Sequence, residues 1–280
     1  MTIAAEKEYL LGTREDELAR LGFQHRVWAG ATFQLWEDAG FGPGQAILDL
    51  GCGPGFATLD LAWLVGPQGK VIALDESERF LERLRATRDA LGLSWVQPVA
   101  GDVQRLELAP ESLDGAYARW VLCFTPKPEL VLEGVARALR PGGAFAVMDY
   151  FRYSSMALSP RTPSIERVAR AVEESWRRAG GDLDIAGRLP GLMAAAGLEV
   201  REVRPIVRLA RPGSALWHWP TLFFKTYVPR LVEMGLLGAD ERAAFERDWA
   251  AASRDPKAFF TTPPVYGVIG VRPGGGAASK

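Results

Sequence analysis

The stretch that decides the fold is Asp49-Leu50-Gly51-Cys52-Gly53-Pro54-Gly55, which follows three apolar residues and precedes an apolar segment containing Leu59, Leu61 and Trp63. This order predicts a strand, a glycine turn and a helix. Glycine lets the backbone approach a ligand closely and tolerates positive φ angles that strain other residues. We therefore expect the turn to hold a ligand.

A second predicted strand supports a nucleoside ligand. Residues 70–74 are apolar after Lys70 and end at Asp75, about 20 residues beyond the turn. In nucleoside-binding folds, a carboxylate at this place binds the ribose hydroxyls. Asp75 and its neighbour Glu76 are therefore predicted to contact the cofactor.

The glycine spacing argues against a dinucleotide. The dinucleotide fingerprint G-x-G-x-x-G, counted from Gly51, requires a glycine where this chain has Phe56. Asp49 would also repel a pyrophosphate, whereas a carboxylate suits a ligand that carries an ammonium and a sulfonium. A nicotinamide-dependent oxidoreductase is therefore the weaker alternative.

The first motif resembles that of the class I S-adenosylmethionine-dependent methyltransferases, which has the form D-x-G-x-G-x-G. Three further family features follow in order, at residues 100–103 (AGDV), 113–122 (LDGAYARWVL) and 138–147 (ALRPGGAFAV). The resemblance covers residues 40–150 and is greatest to the ubiquinone/menaquinone-type small-molecule branch. It implies S-adenosylmethionine as cofactor and S-adenosylhomocysteine as product. The predicted cofactor-binding residues are Asp49, Gly51, Cys52, Gly53, Gly55, Asp75, Glu76, Gly101, Asp102, Val103 and Arg119.

Alternating strand and helix patterns over residues 44–150 predict an α/β fold with a parallel sheet and crossover helices. Further strands are predicted at 198–209 and 265–271. The resemblance implies a Rossmann-like, seven-stranded, mostly parallel sheet flanked by helices. Ligands in such sheets bind beyond the carboxyl ends of the strands.

The predicted organisation has three parts. Residues 1–40 form an N-terminal helical cover, with Thr13 and Asp16 resembling a capping box at its start. The methyltransferase domain spans 41–272. Within it lie the core (44–150), a helical insertion (160–180) and an aromatic-rich, helical lid insertion (214–254). Residues 273–280 are predicted to be a disordered tail.

Composition limits the possible partners. The chain has 280 residues, 33 Lys and Arg against 34 Asp and Glu, and no long basic block, so nucleic acid is not expected as a partner. No apolar run approaches the roughly 20 residues that span a bilayer, and no secretory signal is recognised, so a cytoplasmic protein without membrane insertion is expected. Two cysteines and two histidines show no zinc-ligand spacing, so no metal is predicted. The oligomeric state stays open.

Aromatic residues of the lid insertion predict a small, aromatic or apolar acceptor. The alternative is that they only pack the insertion onto the sheet. The candidate acceptor-binding residues are His25, Trp120, Cys123, Tyr150, Trp217, Trp219, Phe223 and Phe224. His25 has the alternative interpretation of a buried structural histidine, and Cys123 is expected to line the pocket rather than act as a nucleophile.

The mechanism is expected to depend mainly on alignment and exclusion of water, because the leaving group of a sulfonium methyl donor is already activated. If the acceptor is a hydroxyl, His218 is the predicted general base, and a structural or solvent-facing histidine is the alternative. O-, C- and N-methylation remain open. A protein that binds S-adenosylmethionine without methyl transfer, as a regulator or a rearrangement catalyst, is the second alternative.

Overall fold

The computed structural model describes residues 15–274 of the chain. The predicted cap at Thr13 and the tail residues 275–280 lie outside this part. The helices are α1 (Glu15–Ala39), α2 (Phe56–Val65), α3 (Glu78–Leu91), α4 (Pro128–Ala138), α5 (Pro163–Arg178), α6 (Leu189–Ala195), α7 (Ala215–Glu233) and α8 (Ala239–Arg254). The strands are β1 (Ala46–Leu50), β2 (Lys70–Asp75), β3 (Val96–Ala100), β4 (Leu113–Arg119), β5 (Leu139–Tyr150), β6 (Ala157–Ser159), β7 (Glu199–Ile206), β8 (Leu209–Ala210), β9 (Phe259–Thr261) and β10 (Val265–Val271).

A seven-stranded sheet forms the centre of the molecule, in the order β3-β2-β1-β4-β5-β10-β7. The first five strands in this order are mutually parallel, and β10 runs antiparallel to both β5 and β7. Apolar residues of β1 are buried because helices cover both faces of a parallel sheet. The predicted α/β, seven-stranded, mostly parallel architecture is confirmed.

The long helix α1 packs against α7 and β5. Its buried tryptophans make edge-to-face contacts: Trp36 lies 5.2 Å from the Tyr117 ring, and Trp28 lies 5.4 Å from Trp120 and 5.2 Å from Trp219, between ring centroids. These contacts fix α1 beside the end of β4, where the site is expected.

The segment predicted as an insertion at 214–254 consists of α7 and α8, which pack against each other and against α5. The indole rings of Trp217 and Trp249 stack at 4.6 Å between their helices. A small antiparallel sheet in the order β6-β9-β8, which the sequence analysis did not predict, lies beside them. Within residues 15–274, no helix is both long and apolar enough to cross a membrane.

Candidate cofactor and acceptor site

The glycine turn between β1 and α2 has the backbone that its sequence predicts. Gly51, Gly53 and Gly55 have φ angles of 57°, 54° and 88°. A Cβ on Gly51 would lie 2.6 Å from Val121, and one on Gly55 would lie 2.3 Å from Leu84, so these two glycines are required by packing. A Cβ on Gly53 would meet nothing within 4 Å. Gly53 therefore faces open space.

Asp75, at the end of β2, holds this turn in place. Its Oδ2 accepts a hydrogen bond of 2.7 Å from the Gly53 N–H, and its Oδ1 accepts one of 2.9 Å from the Ser77 N–H. Burial raises the pKa of the Asp75 carboxyl. The carboxylate thus connects the turn to the start of α3, while it also lines the large cleft described next.

A large cleft of about 1170 Å³ opens beyond the carboxyl ends of β1, β2 and β4. Predicted cofactor residues in its lining are Asp49, Gly51, Cys52, Gly53, Asp75, Glu76, Val103 and Arg119. Gly55, Gly101 and Asp102 are not in the lining. The Asp102 carboxylate instead accepts a hydrogen bond of 2.8 Å from the Gln104 N–H of its own turn, and the Gln104 side chain lines the cleft.

Asp49 is a buried carboxylate in the wall of this cleft, with 2% of the residue exposed. The Thr58 hydroxyl donates a hydrogen bond of 2.6 Å to its Oδ2. Burial raises the pKa of Asp49 to about 7, although the Thr58 bond and the Arg119 charge lower it. A cation that entered the cleft beside Asp49 would favour the ionised form.

His25 acts on the cleft through Arg119. Arg119 lies 3.1 Å from His25 Nδ1 and donates to Thr32 Oγ1 at 3.0 Å, while His25 Nε2 lies 2.8 Å from Asp60 Oδ2. Because a guanidinium has only donors, Nδ1 must accept and Nε2 must donate to Asp60. Arg119 lines the cleft and His25 does not. His25 is buried between Arg119 and Asp60, an arrangement that agrees with its alternative interpretation as a structural histidine.

A second, partly open cavity, called the aromatic cavity below, adjoins the cleft. Its wall is mostly aromatic and includes five of the predicted acceptor residues: Trp120, Tyr150, Trp219, Phe223 and Phe224. Residues that line both cavities are Arg20, Gln24, Trp120, Phe124 and Trp176. The two cavities therefore share a wall.

Trp120 is the central aromatic residue of that shared wall. Its ring is stacked between Tyr150, at 5.9 Å, and Trp219, at 6.2 Å between centroids. Its φ angle of 52° lies in the left-handed region, which is uncommon for a bulky residue and occurs most often at functional sites. The turn after β4 is thus shaped to place this ring between the two cavities.

A polar group on α1 was missed by the sequence analysis. Arg20 donates to the Glu17 carboxylate through Nε at 2.8 Å and Nη2 at 2.7 Å, and both residues are buried. Arg20 Nη1 also donates to Gln24 Oε1 at 3.0 Å. The spacing of these residues, three and then four positions, puts them on one helical face. All three line the cleft.

The predicted general base His218 and two predicted acceptor residues, Trp217 and Cys123, lie outside the lining of the aromatic cavity. His218 is exposed, packs edge-on against Phe23 at 5.1 Å, and lines an open surface pocket apart from the cleft and the aromatic cavity. Trp217 stacks on Trp249 and does not line the aromatic cavity. Cys123 is fully buried behind the wall, where its backbone N–H donates to Asp149, and burial raises the pKa of its thiol well above the usual range.

The family model described as "Methyltransferase domain" matches residues 42–193, which is more than half of the chain. The chain belongs to this methyltransferase family. The resemblance to class I S-adenosylmethionine-dependent methyltransferases is thereby confirmed, with S-adenosylmethionine as the cofactor. This part of the chain includes the glycine turn, β2 and the shared wall residue Trp120.

Two curated relatives of this methyltransferase are quinone-modifying enzymes by name. It is 30% identical over 156 residues to the 2-phytyl-1,4-naphtoquinone methyltransferase of Synechococcus elongatus, an alignment that covers 54% of this chain and 61% of the relative. It is 37% identical over 126 residues to the demethylmenaquinone methyltransferase of Lactococcus lactis, covering 45% of this chain and 49% of the relative. The chain thus spans about half to three fifths of these relatives.

A solved structure shows the same fold across nearly the whole methyltransferase chain. A putative methyltransferase from Bacillus halodurans superposes with a TM-score of 0.59 at 17% identity, and the match covers 86% of this chain and 97% of that one. At this identity the likeness concerns the fold alone.

The cleft of this methyltransferase fits S-adenosylmethionine. Gly53 offers a cradle that a Cβ would fill, and the Asp49 carboxylate can face the ammonium of the methionine part. Asp75 at the end of β2 has the carboxylate that ribose hydroxyls require. Among the described residues there is no cluster of three or more His, Cys, Asp or Glu side chains arranged to hold a metal ion.

Proposed function

We propose that this protein transfers a methyl group from S-adenosylmethionine to a small, planar aromatic or apolar acceptor. The observation that carries the proposal is the wall that the cofactor cleft shares with the aromatic cavity. A cofactor in the cleft and an acceptor in the cavity would meet at Trp120 and its neighbours. The quinone-directed names of two relatives support a planar acceptor.

S-adenosylmethionine supplies an activated methyl group with a good leaving group. The protein's contribution would then be alignment and removal of water. Stacked rings suit alignment, because Tyr150, Trp120 and Trp219 lie nearly parallel and form an ordered aromatic wall against which a planar molecule can pack. Coverage of the site by α1 and α7 suits the removal of water.

The acceptor cavity supports alignment without a general base. Its described lining contains no histidine and no carboxylate. Burial raises the pKa of Tyr150 and of Tyr153, so both hydroxyls stay protonated at neutral pH. An acceptor molecule that carries a proton would therefore lose it before or during methyl transfer, without a basic side chain of this cavity to accept it.

The test is a turnover screen with naphthols, quinols and aromatic amines, in which formation of S-adenosylhomocysteine and methylated product is measured by mass spectrometry. We expect turnover with at least one planar acceptor. Trp219→Ala should reduce it at least 10-fold by removing one face of the stack, while Trp63→Ala, which alters a tryptophan that is 63% exposed on α2, should not. Equal loss in both variants would contradict the placement of the acceptor.

A further inference from the structure

The side-chain amide of Gln24 has a fixed orientation. Its Oε1 accepts hydrogen bonds from Trp219 Nε1–H at 2.9 Å and from Arg20 Nη1–H at 3.0 Å. Indole and guanidinium nitrogens can only donate, so the oxygen of the Gln24 amide must face them both. The amide nitrogen therefore points elsewhere with two N–H donors.

These N–H donors lie at the junction of the two cavities. Gln24 lines both the cofactor cleft and the aromatic cavity. Within residues 15–274, its Nε2 makes no hydrogen bond, whereas its Oε1 makes two. The structure thus presents a half-buried donor whose direction is set by two other side chains of the same wall.

Most other polar side chains of the aromatic cavity can only donate, whereas the hydroxyls of Tyr150 and Tyr153 can donate and accept. Arg20 lines this cavity with its guanidinium held by the carboxylate of Glu17, which lines the cleft and not the cavity. Trp120 is 8% exposed, and its indole N–H is buried without a hydrogen-bond partner among the described residues. An acceptor molecule bound here would have to supply a lone pair for the Trp120 N–H.

We propose that Gln24 positions the acceptor by donating to it, and that the acceptor carries an oxygen that accepts hydrogen bonds, as a phenolate, enolate or neighbouring carboxylate, rather than an amine. This inference rests on the proposed methyl transfer. Hydrogen bonds donated to this oxygen stabilise the anionic form of the acceptor. The cavity can therefore bind the acceptor in its reactive, deprotonated form without a basic side chain. In the transfer, the carbon–sulfur bond breaks with its electron pair left on sulfur, a bond forms from the anion to the methyl carbon, and the two opposite charges cancel.

The decisive variant is Gln24→Glu. Glutamate keeps an oxygen where Arg20 and Trp219 donate, so the supporting hydrogen bonds survive, but it removes both N–H donors. Three probes that share the naphthalene ring differ in their substituents: hydroxynaphthoate carries oxygen acceptors, methylnaphthalene carries no polar group, and (aminomethyl)naphthalene carries an amine. Their dissociation constants are measured by calorimetry on protein saturated with S-adenosylhomocysteine, whose own affinity is measured first.

We expect the parent to bind hydroxynaphthoate at least 10-fold more tightly than (aminomethyl)naphthalene. Gln24→Glu should weaken the binding of hydroxynaphthoate at least 10-fold, because it removes both N–H donors and places a carboxylate beside the anion, and it should leave the binding of methylnaphthalene within about two-fold. The matched control is Gln34→Glu, the same change at an exposed position of α1, which should leave all three unchanged.

Two results would overturn the inference. Unchanged binding of hydroxynaphthoate by Gln24→Glu contradicts it. So does a parent that prefers the amine or binds none of the probes. Failure of S-adenosylhomocysteine to bind the parent would instead contradict the proposed function itself. The first titration therefore separates the two failures.

Discussion

The Oδ2 of Asp75 accepts a 2.7 Å hydrogen bond from the backbone N–H of Gly53, so the residue predicted to bind ribose also holds the glycine turn. One carboxylate thus connects two parts of the cofactor cleft that come from different strands. Loss of this side chain should affect the turn and the ribose contact together.

Asp75→Ala should weaken S-adenosylhomocysteine binding by about 10- to 100-fold, because the ribose hydroxyls and the Gly53 N–H both lose a charged hydrogen-bond acceptor. Calorimetry measures the dissociation constant, and circular dichroism checks the fold. Asp89→Ala, at the exposed far end of α3, is the matched control and should bind as the parent does. An unchanged dissociation constant for the Asp75 variant would contradict its role in the cleft.

Binding of S-adenosylhomocysteine should release protons below neutral pH. Asp49 has a pKa of about 7 without ligand, and a ligand ammonium beside it would lower this pKa. Close to one proton should leave at pH 6 and almost none at pH 8, as measured by calorimetry in buffers of different ionisation enthalpy. Asp49→Asn should abolish the release. Proton uptake, or release that persists in the Asn variant, would contradict the assignment.

The same raised pKa affects the stability of the ligand-free protein. A carboxyl group whose pKa is higher in the folded state than in the unfolded state stabilises the fold at low pH, and this contribution is lost as pH rises through the folded value. The free energy of unfolding should therefore fall between about pH 4 and pH 7 by more in the parent than in Asp49→Asn. Urea unfolding at several pH values measures the difference, and parallel pH curves would refute it.

His218→Ala should leave methyl transfer within about two-fold of the parent at every pH tested. The imidazole is exposed and lines a separate surface pocket, so it does not reach the proton of an acceptor in the aromatic cavity. The readout is the pH profile of kcat. A loss of 100-fold that recovers at high pH would restore His218 as a general base.

Trp217→Ala and Trp219→Ala should have different effects although the residues are near neighbours in α7. Trp217 is buried against Trp249, so its truncation should reduce the free energy of unfolding by about 3–5 kcal/mol and leave cofactor affinity unchanged. Trp219 lines the acceptor cavity, and its truncation should impair acceptor binding. Urea unfolding and probe titration separate the two, and identical profiles would contradict the assigned faces.

The cofactor half of the site could be predicted because its signals are local. Asp49–Gly55 and Asp75 stand directly at strand ends, and the parallel sheet brings such ends together whatever the helices do. Strands β6, β8 and β9 could not be predicted, because segments of two or three residues carry no periodicity.

The acceptor half depends on which side of each helix faces inward. Residues 217 and 219 differ by about 200° around a helix, so they cannot share a cavity, and an aromatic-rich sequence does not say which side is inside. Glu17, Arg20 and Gln24 form a stripe on α1 that sequence could have revealed. A polar stripe is usually solvent-exposed, however, and only the packing of α1 beside β4 places it in the site.

The most direct test of the account is calorimetric titration of S-adenosylhomocysteine into Gly53→Val and the matched variant Gly92→Val. Both glycines have positive φ, at 54° and 68°, and neither would bring a Cβ within 4 Å of another atom, so the backbone strain is similar. Gly53 lines the cleft, whereas Gly92 is exposed at the end of α3. The account predicts that Gly53→Val abolishes binding and that Gly92→Val binds like the parent. Equal binding by the two variants, or a parent that binds NAD and not S-adenosylhomocysteine, would contradict it.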